Sequence, residues 1–148
     1  VDAAQDNAAL NNVDSSQIEF VKADIQRYME KALDEGKEFD VIVLDPPKLA
    51  PTVSGLERAA RKYSALNRLA LKLISPTKGG ILMTCTCSGA MTQKDGGQYF
   101  LQTVSTASQR HLTLLETSGA APCHTTSPAS YPAGAYLTAA LFHVSPIL

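Results

Sequence analysis

Apolar residues follow two different spacings along this chain, and these spacings predict strands and helices in alternation. Short runs rich in apolar and β-branched residues predict five strands, at 18–21, 39–44, 81–85, 111–116 and 135–144. Apolar positions three and four residues apart predict amphipathic helices at 25–35 and 56–74, and a further helix is predicted at 99–110. The Ala-rich segment 1–11 is predicted to be a helix that lacks an N-cap residue.

This order of elements predicts an α/β fold. Strands that alternate with helices form a parallel sheet, because each helix returns the chain to the starting edge. The last two strands are joined without a helix, which predicts an antiparallel pair added at one edge of the sheet. Gly36 is predicted to close the helix at 25–35, and Pro76 with the pair Gly79-Gly80 to end the long helix. We find no repeat and no linker that would divide the chain into two domains.

One strand ends in a chemically informative way. The apolar run 41–44 is followed by Asp45, Pro46 and Pro47. A wholly apolar run predicts a parallel strand covered on both faces, and prolines cannot extend the hydrogen-bond ladder. The strand therefore ends at Asp45, at the carboxyl edge of the sheet, where ligands bind in open α/β sheets.

Composition narrows the possible functions. The 148 residues are 45% hydrophobic and 18% charged, with a formal net charge of −1, so nucleic acid would have to be bound by a local basic patch. Three cysteines without a signal sequence predict a reducing compartment. No apolar run approaches the roughly 20 residues of a membrane span. Residues 1–12 contain no Arg and two acids, unlike a transit peptide, so an intracellular location is predicted, in the cytoplasm or an organelle.

Several motifs follow one another in a familiar order. They are Asp45-Pro46-Pro47-Lys48, a helix with Arg61, Tyr63 and Asn67, Gly79-Gly80-Ile81-Leu82, Thr86-Cys87-Ser88-Gly89 and Tyr131-Pro132. Together they resemble the bacterial-type 23S ribosomal RNA large subunit 5-methylcytosine methyltransferases and their plant homologues. The resemblance covers essentially the whole chain. It implies a Rossmann-like class I methyltransferase domain, S-adenosylmethionine as the cofactor and RNA, most simply large-subunit ribosomal RNA, as the partner.

The resemblance also implies that the sheet is incomplete. In the family, a glycine-rich loop and a ribose-binding acid precede the matched region, and neither has a counterpart here. Residues 1–148 are therefore predicted to be the C-terminal part of a single methyltransferase domain that lacks its first two strands. On this interpretation Asp2 is a helix residue and not the ribose acid, and the fragment alone is predicted to be inactive.

The resemblance places the nucleophile at Cys87. Carbon 5 of cytosine accepts a methyl group only after a thiolate has attacked carbon 6, so the reaction needs a cysteine. Cys85 shares its strand, and both could instead be inert buried thiols. Asp45 would hydrogen-bond the target base, or it could simply cap the Pro-Pro turn. The usual second cysteine after that turn is absent, so another base must remove the carbon 5 proton, and Asp45 is one possibility.

Cofactor and substrate positions follow from the same resemblance. Asp24 would bind the adenine amino group with Ile25 packed on the ring, although Asp24 could equally be an N-cap. Asp45 and Pro46 complete the implied cofactor set. The implied substrate-binding residues are Pro47, Lys48, Arg61, Tyr63, Asn67 and Tyr131. An aromatic residue at position 48 would favour methylation of an exocyclic amine, and Lys48 argues against that chemistry.

Other interpretations remain open. A basic stripe on the long helix would suit phosphate groups or an ordinary solvated face equally well, and consists of Arg58, Arg61, Lys62, Arg68 and Lys72. Cys85, Cys87, Cys123 and His124 lack the spacing of a zinc site, so no metal is predicted. Methyl transfer to another nucleobase atom and a non-catalytic Rossmann-like fragment are the competing functions.

Overall fold

In a computed structural model the chain forms one mixed sheet with helices, and residues 1–14, 16–124 and 127–147 are described. The α-helices are α1 (Asp2–Leu10), α2 (Ile25–Asp34), α3 (Leu56–Leu73), α4 (Gly89–Gln93) and α5 (Gln98–Ser105). The strands are β1 (Val41–Leu44), β2 (Gly80–Thr86), β3 (Leu112–Ser118) and β4 (Thr138–Val144). Short 3₁₀ turns occur at Val53–Gly55, Lys94–Gly97 and Pro132–Gly134.

The strands lie in the order β1-β2-β4-β3. β1 and β2 are parallel, and β4 runs antiparallel to both β2 and β3. The predicted antiparallel pair at one edge of the sheet is confirmed: β4 joins β2, and β3 forms the border. Burial explains the order within the pair, because β4 carries buried Ala139, Ala140, Phe142 and Val144, whereas nearly all of β3 is exposed. The more apolar strand occupies the interior position.

The predicted strand at 18–21 is wrong, because this segment has irregular backbone. It borders α2, and Ile18 and Val21 remain 41% and 48% exposed. A strand needs a ladder partner, and β1 is the outermost strand of the sheet formed by the described residues. The apolar pattern of residues 18–21 predicted a strand but carried no information on a strand with which it could pair.

β1 is covered on one face only. Leu44 is buried and Ile42 packs against the core, whereas Val41 and Val43 are 59% and 62% exposed. The prediction that both faces of this strand are covered is therefore wrong. The core lies between one face of the sheet and the helices α2, α3 and α5, and the face that carries Val41 and Val43 is open.

The core is a single cluster centred on α3. Tyr63 is fully buried and meets Phe100 of α5 edge to face, with ring centroids 5.6 Å apart and planes at 81°. Such an arrangement of aromatic rings is favourable beyond the area it buries. Leu71, Leu82 and Val144, from α3 and the two central strands, are also fully buried and complete this interior.

Two glycine predictions have different outcomes. Gly36 has φ of +68° directly after α2, where the Lys37 N–H donates to the Ala32 carbonyl at 2.9 Å, so the predicted C-cap is confirmed. α3 stops at Leu73 with Ile74 as its C-cap, so Pro76 follows the helix end closely, whereas Gly79 and Gly80 lie too far along to end it. Gly80 instead permits a close approach of strands, because a Cβ there would lie 2.4 Å from the Asp40 carbonyl oxygen.

Arg110 connects the carboxyl end of α3 to the segment after β4 by hydrogen bonds. The predicted helix at 99–110 is too long, since α5 ends at Ser105 and Arg110 leaves the helix. Its guanidinium donates to the carbonyls of Leu71, Ile74, Ser75 and Ser145 at 2.6–3.1 Å. Burial lowers the pKa of Arg110 from its ordinary value, but a guanidinium remains charged at neutral pH. The charged fork thus caps the carboxyl end of α3.

In the part of the chain that the structure describes, no helix combines the length and the apolar character needed to cross a membrane.

We expect Arg110→Ala to lower the free energy of unfolding by about 2–4 kcal/mol, because several carbonyls lose a charged donor. Urea unfolding followed by circular dichroism measures the change. Arg58→Ala is the matched control: Arg58 is exposed on the same helix, and its loss should change stability by less than about 0.5 kcal/mol. Equal effects of the two substitutions would contradict the capping role.

Candidate active site

Three connections meet at one edge of the sheet. β1 and β2 are parallel, so the segments that follow Leu44 and Thr86 leave the sheet at the same edge. β4 is antiparallel, so the loop that enters it at Thr138 arrives at that edge too. The carboxyl edge of parallel strands is the common location of ligand sites in open α/β sheets. The edge carries Asp45, as the strand pattern predicts, and also Cys87 and the loop of Tyr131.

Asp45 and Cys87 both lie near Cys85, which is in β2, and Cys87 comes just after the end of that strand. Leu44 pairs with Thr84, and the next positions in this parallel register are Asp45 and Cys85. Alternation along the strands places Asp45 and Cys85 on the open face of the sheet, with Val43 and Met83. Asp45 is exposed, Cys87 is half-buried and Cys85 is 6% exposed. A carboxylate and an accessible thiol therefore share one edge.

The environment makes Cys85 a poor nucleophile. Burial raises the pKa of the Cys85 thiol, and the nearby charges of Asp45 and Cys87 raise it further. A raised thiol pKa favours the protonated form at neutral pH, and only the thiolate is strongly nucleophilic. Of these two cysteines, Cys87 has the greater solvent access and is therefore the better candidate for attack on a substrate.

A buried network of hydroxyl groups lies directly beneath Cys87. Thr86 Oγ1 donates to Tyr63 Oη at 2.8 Å and accepts from the Ser88 N–H at 3.2 Å. Tyr63 Oη lies 3.1 Å from Ser88 Oγ, which also accepts from the Ala50 N–H at 3.0 Å. All four residues are buried, with at most 1% of their surface exposed. The network joins the loop after β1 to the loop after β2.

Tyr63 and Asn67 do not face a substrate. Both are fully buried on α3, and the Asn67 Nδ2 donates to the Tyr63 carbonyl at 2.8 Å. A side chain with no exposed surface does not contact a bound base, so the predicted substrate-binding role of these two residues is corrected. Their position in the motif reflects packing beneath the site.

The turn after β1 exposes a different set of side chains. Pro46 is buried, whereas Pro47 and Lys48 are exposed next to Asp45. Pro47 and Lys48 can therefore contact a large substrate directly. The buried ring of Pro46 supports the turn from below, and this leaves less of its surface for the predicted cofactor contact.

Asp24 is the N-cap of α2. Its Oδ1 accepts from the Arg27 N–H at 3.0 Å, so the capping interpretation is correct. The second carboxylate oxygen can still accept another hydrogen bond. Ile25 follows with 47% of its surface exposed. The pair thus presents an acceptor beside an apolar surface, and this chemistry fits an adenine ring with its amino group.

Tyr131 lies in an exposed loop that is tied to the segment after Cys87. Its side chain is 63% exposed and free to contact a partner. Gln93, at the end of α4, donates through Nε2 to the carbonyls of Pro132 and Ala135 at 3.3 and 3.1 Å. α4 begins at Gly89, directly after Ser88. The Tyr131 loop is therefore held at the same edge as Cys87.

The basic stripe of α3, consisting of Arg58, Arg61, Lys62, Arg68 and Lys72, is exposed along its whole length. Salt bridges among the described residues involve Lys31, Lys37 and Lys94, which lie elsewhere. The cationic groups of the stripe are thus available to an anionic partner.

Cys123 and His124 form a separate exposed pair, with Sγ and Nδ1 3.2 Å apart. Within the ranges that the structure describes, no three His, Cys, Asp or Glu side chains are arranged to hold a metal ion. The alternative zinc set is accordingly not brought together.

Sequence reasoning missed the residues that support the site. Ser88, Thr86 and the Ala50 N–H received no role, although Thr86 and Ser88 flank Cys87. The sequence did contain an indication of this role. Hydroxyl residues on both sides of a candidate nucleophile, next to an apolar strand, need hydrogen-bond partners when they are buried. Arg110 had no comparable signal in the pattern.

Comparison with known proteins shows relatives in sequence. No family model matches. The chain is 41% identical over 144 residues to ribosomal RNA large subunit methyltransferase I of Cronobacter sakazakii, covering 97% of this chain and 35% of the relative. It is 40% identical over 134 residues to the protein of the same name from Shewanella frigidimarina, covering 90% of this chain and 33% of the relative. The chain spans about a third of the length of these curated relatives.

Solved structures show the same fold at lower identity. SMU.776, crystallised with SAH and assigned as a methyltransferase, matches 95% of this chain and 35% of its own, with 19% identity and a TM-score of 0.78. TrmN from Thermus thermophilus matches 96% of this chain and 32% of its own, with 18% identity and a TM-score of 0.55. The predicted Rossmann-like α/β fold is confirmed.

We expect Cys85 and Cys87 to differ in reactivity. Iodoacetamide at about pH 8 should modify Cys87 faster than Cys85, since the Cys85 thiol stays protonated. The Cys85 rate should still rise with pH where a free thiol of pKa about 8.5 has reached its plateau. Peptide mass spectrometry measures both rates, and exposed Cys123 is the internal reference.

Asp45→Asn is the matched variant for this measurement. It removes the negative charge that contributes to the raised pKa of Cys85, so Cys85 labelling should accelerate at a given pH. Labelling of Cys85 as fast as that of Cys123 in the unmodified protein would contradict the assignment.

Proposed function

We propose that this chain is the C-terminal part of the catalytic domain of an S-adenosylmethionine-dependent methyltransferase that acts on carbon 5 of a cytosine in large-subunit ribosomal RNA. The observation that carries the proposal is the edge shared by the Asp45 carboxylate and the Cys87 thiol. The names of the sequence relatives support ribosomal RNA as the substrate class.

Cys87 acts as the nucleophile in this proposal. Its thiolate forms a bond from Sγ to carbon 6 of the cytosine, and the electron pair of the 5,6 double bond shifts to make carbon 5 nucleophilic. Carbon 5 would then take the methyl group from the sulfonium sulfur of S-adenosylmethionine, with S-adenosylhomocysteine as the leaving group. Loss of the proton from carbon 5 restores the double bond and expels Cys87 as a thiolate. The base must be single-stranded or flipped out to reach Cys87.

Asp45 holds the target base. It shares this edge with Cys87, and both lie near Cys85, so the carboxylate can hydrogen-bond the cytosine ring while Sγ attacks carbon 6. Asp45 is also the acid of this edge that could remove the carbon 5 proton, since position 48 is Lys and position 49 is Leu rather than Cys.

Asp24 and Ile25 bind the adenine of S-adenosylmethionine in this proposal. The free carboxylate oxygen of Asp24 would accept from the adenine amino group, and Ile25 offers apolar surface to the ring. Asp45 and Pro46 would border the methyl donor at the end of β1. When bound, the cofactor supplies an activated methyl group to the base.

RNA contacts are assigned to exposed residues. Pro47 and Lys48 flank Asp45, Tyr131 is available to stack on a base, and Arg61 lies on the exposed face of α3. The basic stripe of α3 extends this surface away from the site. It concentrates positive charge on one helix of a chain whose net charge is −1.

A covalent trap tests the chemistry in the natural protein that carries this sequence. RNA with 5-fluorocytosine at the target lacks the removable carbon 5 proton, so the adduct to Cys87 should accumulate with S-adenosylmethionine present. Cys87→Ala should abolish the complex in denaturing gels. Cys85→Ala is the matched control and should retain it.

Three outcomes of the trap are distinct. Trapping lost with Cys85→Ala but kept with Cys87→Ala would move the nucleophile to Cys85. Methyl transfer without any trapping would favour another nucleobase atom. Absence of both methyl transfer and binding to S-adenosylhomocysteine, measured by calorimetry, would support a non-catalytic fragment.

The basic stripe has its own test. We expect Arg61→Glu with Arg68→Glu to weaken RNA binding by about tenfold or more near 0.1 M salt, because phosphate contacts are lost. The slope of log affinity against log salt should fall by about 1.4, since each contact contributes about 0.7 on a single strand. Fluorescence anisotropy with a labelled RNA measures both quantities.

The control for the stripe has the same change in net charge. Lys31→Glu with Lys94→Glu alters two exposed lysines away from α3 and should leave the salt slope unchanged. Equal loss of affinity in both double variants would point to overall charge and not to the stripe.

A further inference from the structure

We infer that Thr86, Tyr63 and Ser88 are positioning residues for the reaction: their buried hydroxyl network sets the placement of Cys87 relative to Asp45. The inference rests on the proposed function for its chemistry, and on the hydrogen bonds of this chain for its geometry. None of the three side chains reaches the surface, so each would act through its neighbours.

The hydrogen bonds connect all three side chains. Thr86 Oγ1 donates to Tyr63 Oη at 2.8 Å, and the Tyr63 and Ser88 hydroxyls, 3.1 Å apart, share a hydrogen bond in which either can be the donor. Ser88 Oγ also accepts from the Ala50 N–H at 3.0 Å. The Ser88 N–H returns to Thr86 Oγ1 at 3.2 Å. Every link has a donor and an acceptor, which makes the network rigid.

The network restrains both reacting segments. Cys87 lies between Thr86 and Ser88, which are both anchored, so its backbone has little freedom to move. Ala50 belongs to the loop that begins at Asp45, and its buried N–H is held by Ser88. A single serine hydroxyl therefore links the loop of the carboxylate to the loop of the thiol. A misplacement of about 1 Å between reacting groups can cost about 100-fold in rate.

The ring and the hydroxyl group of Tyr63 have different roles. Its ring fills the core against Phe100, and its hydroxyl alone belongs to the network. Tyr63→Phe removes the oxygen and retains the ring. A role in core packing would survive this change, and a positioning role would not.

Strand β2 offers a matched pair of variants. Thr84 and Thr86 lie on the same strand and the same face, and both are fully buried. Thr86 Oγ1 has two network partners, whereas Thr84 Oγ1 has no hydrogen-bond partner among the described residues. Thr→Val removes a hydroxyl at constant size in either place. Thr84→Val thus controls for the loss of a buried hydroxyl without loss of the network.

The first measurement compares steady-state kinetics in the natural protein that carries this sequence. Thr86→Val and Tyr63→Phe should lower kcat by about 10- to 100-fold and change KM for RNA by less than about twofold, because alignment and not binding is impaired. Thr84→Val should retain the kcat of the unmodified protein. If Thr86→Val does not fold, Tyr63→Phe decides. Equality of the network variants with Thr84→Val would overturn the inference.

The second measurement needs neither RNA nor cofactor. The alkylation rate of Cys87 by iodoacetamide should change at least about threefold in Thr86→Val and Tyr63→Phe, since a loosened loop changes access to the thiol, and should not change in Thr84→Val. If the unmodified protein neither methylates nor traps RNA, the proposed function fails. The alkylation rates alone then test whether the hydroxyl network positions Cys87. Unchanged Cys87 labelling in both network variants would then reject it.

Discussion

The parallel pairing of β1 with β2 is the constraint on which the site depends. This pairing makes both strands end at one edge, so residues separated by about forty positions become neighbours. It relies on Gly80, where any side chain would collide with the Asp40 carbonyl, and on the Ile81 N–H, which donates to that carbonyl at 2.9 Å. A shift of one residue in this register would turn Asp45 and Cys85 toward opposite faces.

Much of the architecture could be predicted from local pattern, because apolar spacing records which face of an element is buried. The long helix α3, the C-cap at Gly36 and the strand edge with Asp45 and Cys87 were of this kind. Errors arose where the structure of a segment depended on residues distant in sequence. The segment 18–21 has the composition of a strand but no neighbouring strand to pair with. Arg110 leaves its predicted helix and donates hydrogen bonds to carbonyls that lie far away in sequence.

Burial separates two kinds of motif residue at the site. Asp45, Lys48 and Tyr131 are exposed at the edge, whereas Tyr63 and Asn67 are sealed beneath it. A sequence motif does not distinguish these groups, because the exposed residues that contact a substrate and the buried residues that support them both depend on particular residue types. The hydroxyl network illustrates the second group: side chains that no substrate touches hold two loops at a fixed separation.

The two borders of the sheet are protected unequally. β3 carries a bulge at Leu114/Glu116 that discourages pairing with another chain, although its exposed residues include Leu114 and Leu115. β1 is short and apolar, with Val41 and Val43 toward solvent and an outer edge that pairs with no other strand of the described residues. As an isolated polypeptide, this chain would therefore aggregate through β1. Low protein concentration and low temperature would slow the aggregation.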